Sequence, residues 1–160
     1  LKQLEEAIEL RNSGSHLEAN ELLVRLAEKF STNADVQYHC AWSFDVLGKE
    51  AEAVPYYELA LKLGLNDSDA KGAFLGLGST YRTLGEYEKA GRVLEEGINR
   101  YPDFLALRVF QAMTLYNVKN YEKAMEMMLL TLTQTSSDES IQSYRKAIEF
   151  YAKNLNETWK

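Results

Sequence analysis

Residues 71–104 read KGAFLGLGSTYRTLGEYEKAGRVLEEGINRYPDF. Phe74, Leu77, Gly78 and Tyr81 recur at helical spacing, so the first half is an amphipathic helix. Leu84-Gly85-Glu86-Tyr87 ends it. Gly85 can take a left-handed conformation that costs any other L-residue about 1 kcal/mol or more. Ala90, Leu94 and Ile98 begin a second apolar stripe, and Pro102 stops it because proline cannot continue a helix. The unit is therefore two antiparallel helices, A and B, joined by a short turn. Small residues at Gly78 and Ala90 let the two backbones approach closely, and Tyr81 and Leu94 fill the space beside them.

The unit repeats in both directions. Ala19, Ala53, Ala90 and Ala124 are separated by 34, 37 and 34 residues. Four more columns move with them: Ala7, Ala41, Gly78 and Ala112; Leu10, Phe44, Tyr81 and Leu115; Leu23, Tyr57, Leu94 and Met128; Gly14, Gly48, Gly85 and Lys119. The longer gap is a three-residue insertion, most simply Ser68-Asp69-Ala70, at the end of the second copy. Pro55 falls early in that copy's B helix, which is expected to start late, near Val54, or to have a distorted first turn. After the fourth copy, Ser136 and Glu139 form a capping-box pattern. A last helix is expected from 139 to 157, with Ile141, Tyr144, Ile148, Tyr151 and Leu155 on one side. A stacked array needs an end element with a polar outer face, so this helix is read as a cap. The same stripe also fits a seam with a second copy of the chain.

Leu77-Gly78-Ser79-Thr80-Tyr81, Leu84-Gly85-Glu86-Tyr87-Glu88-Lys89-Ala90 and Tyr101-Pro102 together resemble the tetratricopeptide repeat. Asn120-Tyr121-Glu122-Lys123-Ala124 repeats part of the pattern. The second copy departs at Glu50 and Leu65, and the first at Ser13 and His16. The resemblance covers residues 1–138 and implies an all-α fold: a right-handed superhelical array of antiparallel helix pairs. The expected organisation is four repeats, about 1–33, 34–67, 71–104 and 105–138, with a C-terminal capping helix over 139–160.

At 160 residues the chain has room for about one domain. Its 46% hydrophobic and 26% charged residues are near the globular norm, which excludes wholesale disorder. The net charge of −6 argues against nucleic acid or an anionic membrane as partner, since both need a basic face. It also argues against RNA-reading helical repeats. One cysteine forms no internal disulfide, and no apolar run is long enough to span a bilayer. With no secretory signal in view, a cytoplasmic location is expected. The chain begins at Leu1 with the helical pattern already running, so a longer parent polypeptide is expected.

Nothing in the sequence marks a catalytic site. His39 and Cys40 are adjacent, but successive helix residues point about 100° apart. Cys40 shares a buried column with Leu77, so it reads as a core thiol beside a partly exposed histidine. His16, His39 and Cys40 do not make a zinc set. Gly76-x-Gly78 lacks the third glycine of a nucleotide loop, where Tyr81 stands, and lies in a helix. Acidic pairs such as Glu5 and Glu9 read as solvated helix surface. The expectation is no enzyme, no metal and no cofactor.

A surface remains. The resemblance implies that A helices line a concave groove where partners usually lie. The positions that would face it are Tyr38, Trp42 and Asp45; Leu75, Ser79 and Arg82; Val109, Met113 and Tyr116. Each triplet has the three-to-four spacing of one helical face. Most are large and apolar, which suits an amphipathic helix or extended apolar peptide, with Asp45 and Arg82 fixing its direction. The family variant that grips a terminal carboxylate would need polar residues where Leu4, Ile8, His39, Gly72 and Gly76 stand, so a chaperone-tail adaptor is not expected. The reading is a protein-interaction module. The alternatives are a homodimeric structural scaffold and a regulatory piece of a larger protein.

Overall fold

A computed structural model describes residues 1–160. It contains ten helices and no strand: α1 (Lys2–Asn12), α2 (His16–Lys29), α3 (Ala34–Val46), α4 (Glu50–Leu63), α5 (Asp67–Thr83), α6 (Tyr87–Arg100), α7 (Ala106–Asn117), α8 (Tyr121–Thr135), α9 (Glu139–Ser143) and α10 (Arg145–Ala152). α1/α2, α3/α4, α5/α6 and α7/α8 are the expected pairs. Each B helix also packs on the A helix that follows, and α1, α3, α5 and α7 lie side by side.

The turns explain the glycine column. Gly14, Gly48 and Gly85 have φ of 91°, 67° and 77°, and Lys119 has 64°. In each turn the next residue's amide donates back to the carbonyl five residues earlier: Ser15 to Leu10, Lys49 to Phe44, Glu86 to Tyr81 and Asn120 to Leu115, at 2.9–3.0 Å. This is a helix-ending motif in which a left-handed residue lets the chain satisfy the last carbonyls. The helix contacts explain the small-residue columns. Ala7, Ala41, Ala19, Ala53 and Ala90 are fully buried. A Cβ on Gly78 would lie 2.5 Å from Leu94 Cγ. Buried apolar clusters run continuously from Leu4 in α1 to Leu107 in α7.

Three local expectations are corrected. First, the insertion does not extend the second copy. α4 ends at Leu63, and the added residues lengthen the front of α5 to 17 residues, against 13 in α3. Asn66 caps that front by accepting from the Asp69 amide at 3.1 Å. Second, Pro55 neither delays α4 nor opens its first turn, where the Ala53 amide donates to Lys49 at 3.2 Å. Pro55 and Ala51, whose carbonyl loses its helical donor, are both exposed, so the missing bond falls on the solvent side of the helix.

Third, the helix expected over 139–157 is two short segments bent at Tyr144 (φ −98°, ψ 9°). Its cap is Asp138, which accepts from the Ser140 and Ile141 amides at 3.0 and 3.1 Å, whereas Ser136 accepts only from Asp138. Gln142 ties α9 to the carbonyls of Thr133 and Ser136, while Ala152 is buried in α10, which packs on α8. The bend meets both constraints. It turns Tyr144, Tyr151 and Leu155 outward, so the expected stripe is only half-buried, at Ile141 and Ile148.

Candidate functional site

The nine sequence-predicted positions divide between two clefts. Tyr38, Trp42 and Asp45 of α3 meet Leu75 and Ser79 of α5 in a cleft of about 470 Å³, completed by Val46, Tyr57, Gly72, Gly76 and Phe110. Arg82 of α5 and Val109, Met113 and Tyr116 of α7 line a second, of about 540 Å³, with Ala112, Tyr121, Ala124, Met125 and Met128.

The first cleft is built by close tyrosine packing. Tyr38 is nearly buried, and its hydroxyl lies where a Cβ on Gly72 would fall. A Cβ on Gly76 would lie 2.5 Å from the Tyr57 hydroxyl. The glycines at two of the carboxylate-gripping positions are therefore there for packing. Trp42 is 40% exposed and is the cleft's accessible aromatic.

Arg11 stacks its guanidinium on the Trp42 face, 3.6 Å from the ring centroid, and donates to His39 Nδ1 at 3.2 Å. His39 lies nearly parallel to Trp42. Burial, then the Arg11 charge, lowers the His39 pKa to about 4. His39 is thus neutral near pH 7, and its Nδ1 lone pair accepts from Arg11. Arg11 is buried with no carboxylate partner.

Asp45 is not a free charge in the groove, which corrects the role expected for it. Its carboxylate accepts from the Tyr57 hydroxyl at 2.5 Å and the Thr80 hydroxyl at 3.0 Å. It ties α3 to α4 and α5. Burial raises its pKa, and the two hydrogen bonds oppose that shift. Arg82 donates through Nε to Asn117 Oδ1 at 2.8 Å and enters none of the four ion pairs of the chain. In the second cleft, Tyr116 is 62% exposed and meets Tyr121 edge to face.

Cys40 lies in the core, and burial pushes its thiol up to about 12. No group of three or more His, Cys, Asp and Glu residues is placed to hold a metal ion. No helix is long and apolar enough to cross a membrane.

Arg11 and the α8 residues Tyr121, Met125 and Met128 are among those that lie outside the predicted set. Arg11 stands in the column of Asp45, Arg82 and Tyr116, so periodicity could have placed it. Tyr121, Met125 and Met128 belong to a B helix, where the groove pattern of A helices gives no signal.

A family model described as Tetratrico peptide repeat matches residues 34–155. This chain belongs to the tetratricopeptide-repeat family. Superkiller protein 3 of Saccharomyces cerevisiae is 24% identical over 108 residues, or 63% of this chain and 7% of that protein. The tetratricopeptide-repeat chain thus spans a small fraction of that relative's length. Two solved structures share its fold. YrrB, described as a TPR protein with an unusual peptide-binding site, is 18% identical, with a TM-score of 0.74 over 98% of this chain and 79% of that one. MamA from Desulfovibrio magneticus RS-1 is 19% identical, with a TM-score of 0.75 over 95% of this chain and 88% of that one.

Proposed function

We propose that the chain is a non-catalytic protein-interaction module that takes a segment of a partner polypeptide along its A-helix face. One observation carries this reading: residues from three successive A helices converge on two adjoining, largely apolar clefts. Trp42 and Tyr116 stand exposed in them. Exposed aromatics in such clefts are the residues that tend to dominate binding energy. The peptide-binding site ascribed to YrrB, a protein of the same fold, supports the reading. The net charge of −6 favours a protein partner over nucleic acid. Cys40, buried and single, suits a reducing compartment such as the cytoplasm. Residues 1–138 act in this reading as four repeats, and 139–160 as their cap.

Affinity capture with mass spectrometry tests this, comparing wild type with the folded variants Trp42→Ala and Tyr116→Ala. Partners held by wild type and lost by either variant support the groove. An identical set from all three proteins refutes it.

A second reading, self-association, rests on Phe150, Tyr151 and Trp159, which cluster at 5.5–5.9 Å yet are each more than half exposed. Light scattering over a dilution series tests it. A monomer mass at every concentration refutes it.

A further inference from the structure

Every B helix but the last is closed by the A helix that follows. α3 lies on α2, α5 on α4 and α7 on α6. The central residues of those B helices, Leu23, Tyr57 and Leu94, are 0%, 2% and 0% exposed. Their counterpart on α8, Met128, is 41% exposed.

α8 is not uncovered as a whole. Thr131 and Thr133 are buried, and α10 packs on the helix. But α10 makes no interface with α7 like those of α3 on α1, α5 on α3 and α7 on α5. A strip is left open. Tyr121, Met125, Met128 and Leu132 are spaced by four, three and four residues, all on one face, and each is 41–53% exposed. That spacing is the seam along which one helix packs into another.

We propose that this strip of α8, with Met113 on the facing wall of α7, docks an amphipathic α-helix of a partner polypeptide. The helix takes the register that α3, α5 and α7 take on the earlier B helices. It carries a small residue opposite Met128, as Gly76 stands opposite Tyr57. It also carries an acidic residue toward Arg82, which lines the cleft and has no carboxylate partner in the chain. This rests on the A-helix face being a protein-interaction surface, and it adds the site on that face and the form of the ligand.

The test is selection from a phage-displayed library of Ala/Glu/Lys-based helical peptides randomised along one face. Selected peptides are then titrated by fluorescence polarisation against wild type, Met128→Glu, Met125→Glu and Trp42→Ala. Both methionines are 41–50% exposed, so glutamate there leaves the fold intact, and circular dichroism checks this. The expected peptides carry an apolar stripe with one small residue and an acid. They bind Met128→Glu and Met125→Glu about tenfold or more weakly, the scale of losing a central interface anchor, and lose less with Trp42→Ala, which lies in the other cleft, than with either methionine variant.

Peptides lost only with Trp42→Ala overturn the helix seat but leave the interaction reading standing. Failure to select any binder overturns the helix seat, while the interaction reading stands or falls by the capture experiment. A light-scattering mass of two chains that Met128→Glu returns to one assigns the strip to a second copy and overturns the partner helix.

Discussion

Replacing Lys119 with glycine should make the protein more stable. Lys119 is the one non-glycine residue with positive φ, at 64°. Its three counterparts are all glycine, and its turn makes the same bond, from the Asn120 amide to the Leu115 carbonyl at 2.9 Å. Holding an L-residue in that conformation costs about 1–2 kcal/mol. Glycine removes this strain but gives the unfolded chain more freedom, which offsets about 0.5–1 kcal/mol. Taken near the middle of both ranges, the net gain is about 0.5–1 kcal/mol. For a chain of this size that raises the thermal midpoint by about 1–4 °C. The lysine's own side chain has little to lose, since it is exposed and enters no ion pair. Urea unfolding followed by circular dichroism is the assay. The midpoint should rise while the slope stays constant, so that only stability has changed. Lys119→Ala keeps the Cβ and should stay near wild type, which separates backbone strain from charge. A glycine variant no more stable than wild type, or an alanine variant that matches it, would refute the reasoning.

Gly76→Ala should cost about 1–3 kcal/mol, because its Cβ would lie 2.5 Å from the hydroxyl of Tyr57, a side chain that is 2% exposed; an unchanged urea midpoint would rule out the close contact. Asp45→Ala should cost about 1–3 kcal/mol by leaving the buried Tyr57 and Thr80 hydroxyls without their acceptor. Asp45→Asn, which keeps one acceptor oxygen, should cost less in the same titration. His39 has a folded pKa of about 4 against 6.5 unfolded, so only the unfolded chain takes up its proton between those values. Stability should therefore fall as pH drops through that window, by about 2 kcal/mol once solvent screening is allowed for. His39→Gln should flatten the pH profile over that range, and a profile identical to wild type would refute the assignment.

Much of the fold was legible because its columns report backbone constraints. A small residue at Ala41 or Gly78, or a glycine at Gly48 or Gly85, is what the helix contact and the turn each require, whatever surrounds them. Positions set by more distant partners were less legible. Periodicity counts the three added residues but does not say which helix takes them, and the Asn66 cap gives them to α5. The 139–157 stripe carries no sign of the bend at Tyr144, which follows from Gln142 reaching back to α8. The same limit holds at the site. Spacing along one helix groups Asp45 with Tyr38 and Trp42, and all three line the first cleft. Only the packing of α4 and α5 reveals that its carboxylate is already bound there.

In a repeating fold, a residue type kept in every copy is explained by packing, so a departure in one copy needs its own reason. Two departures in the fourth copy bear on its packing. Lysine replaces glycine at 119, and Met128 stands exposed where Leu23, Tyr57 and Leu94 are sealed. The buried clusters end at Leu107, one helix before α8. α8 therefore contributes to none of the buried apolar clusters, and local opening is expected to be easy there. A helix docked on α8 would supply what α3, α5 and α7 supply earlier. It would stabilise α7 and α8 by binding the folded state alone. Hydrogen exchange should accordingly slow in those two helices when a selected peptide binds, and stay unchanged in α1–α4. Protection confined to α3 and α5 would instead put the ligand at Trp42.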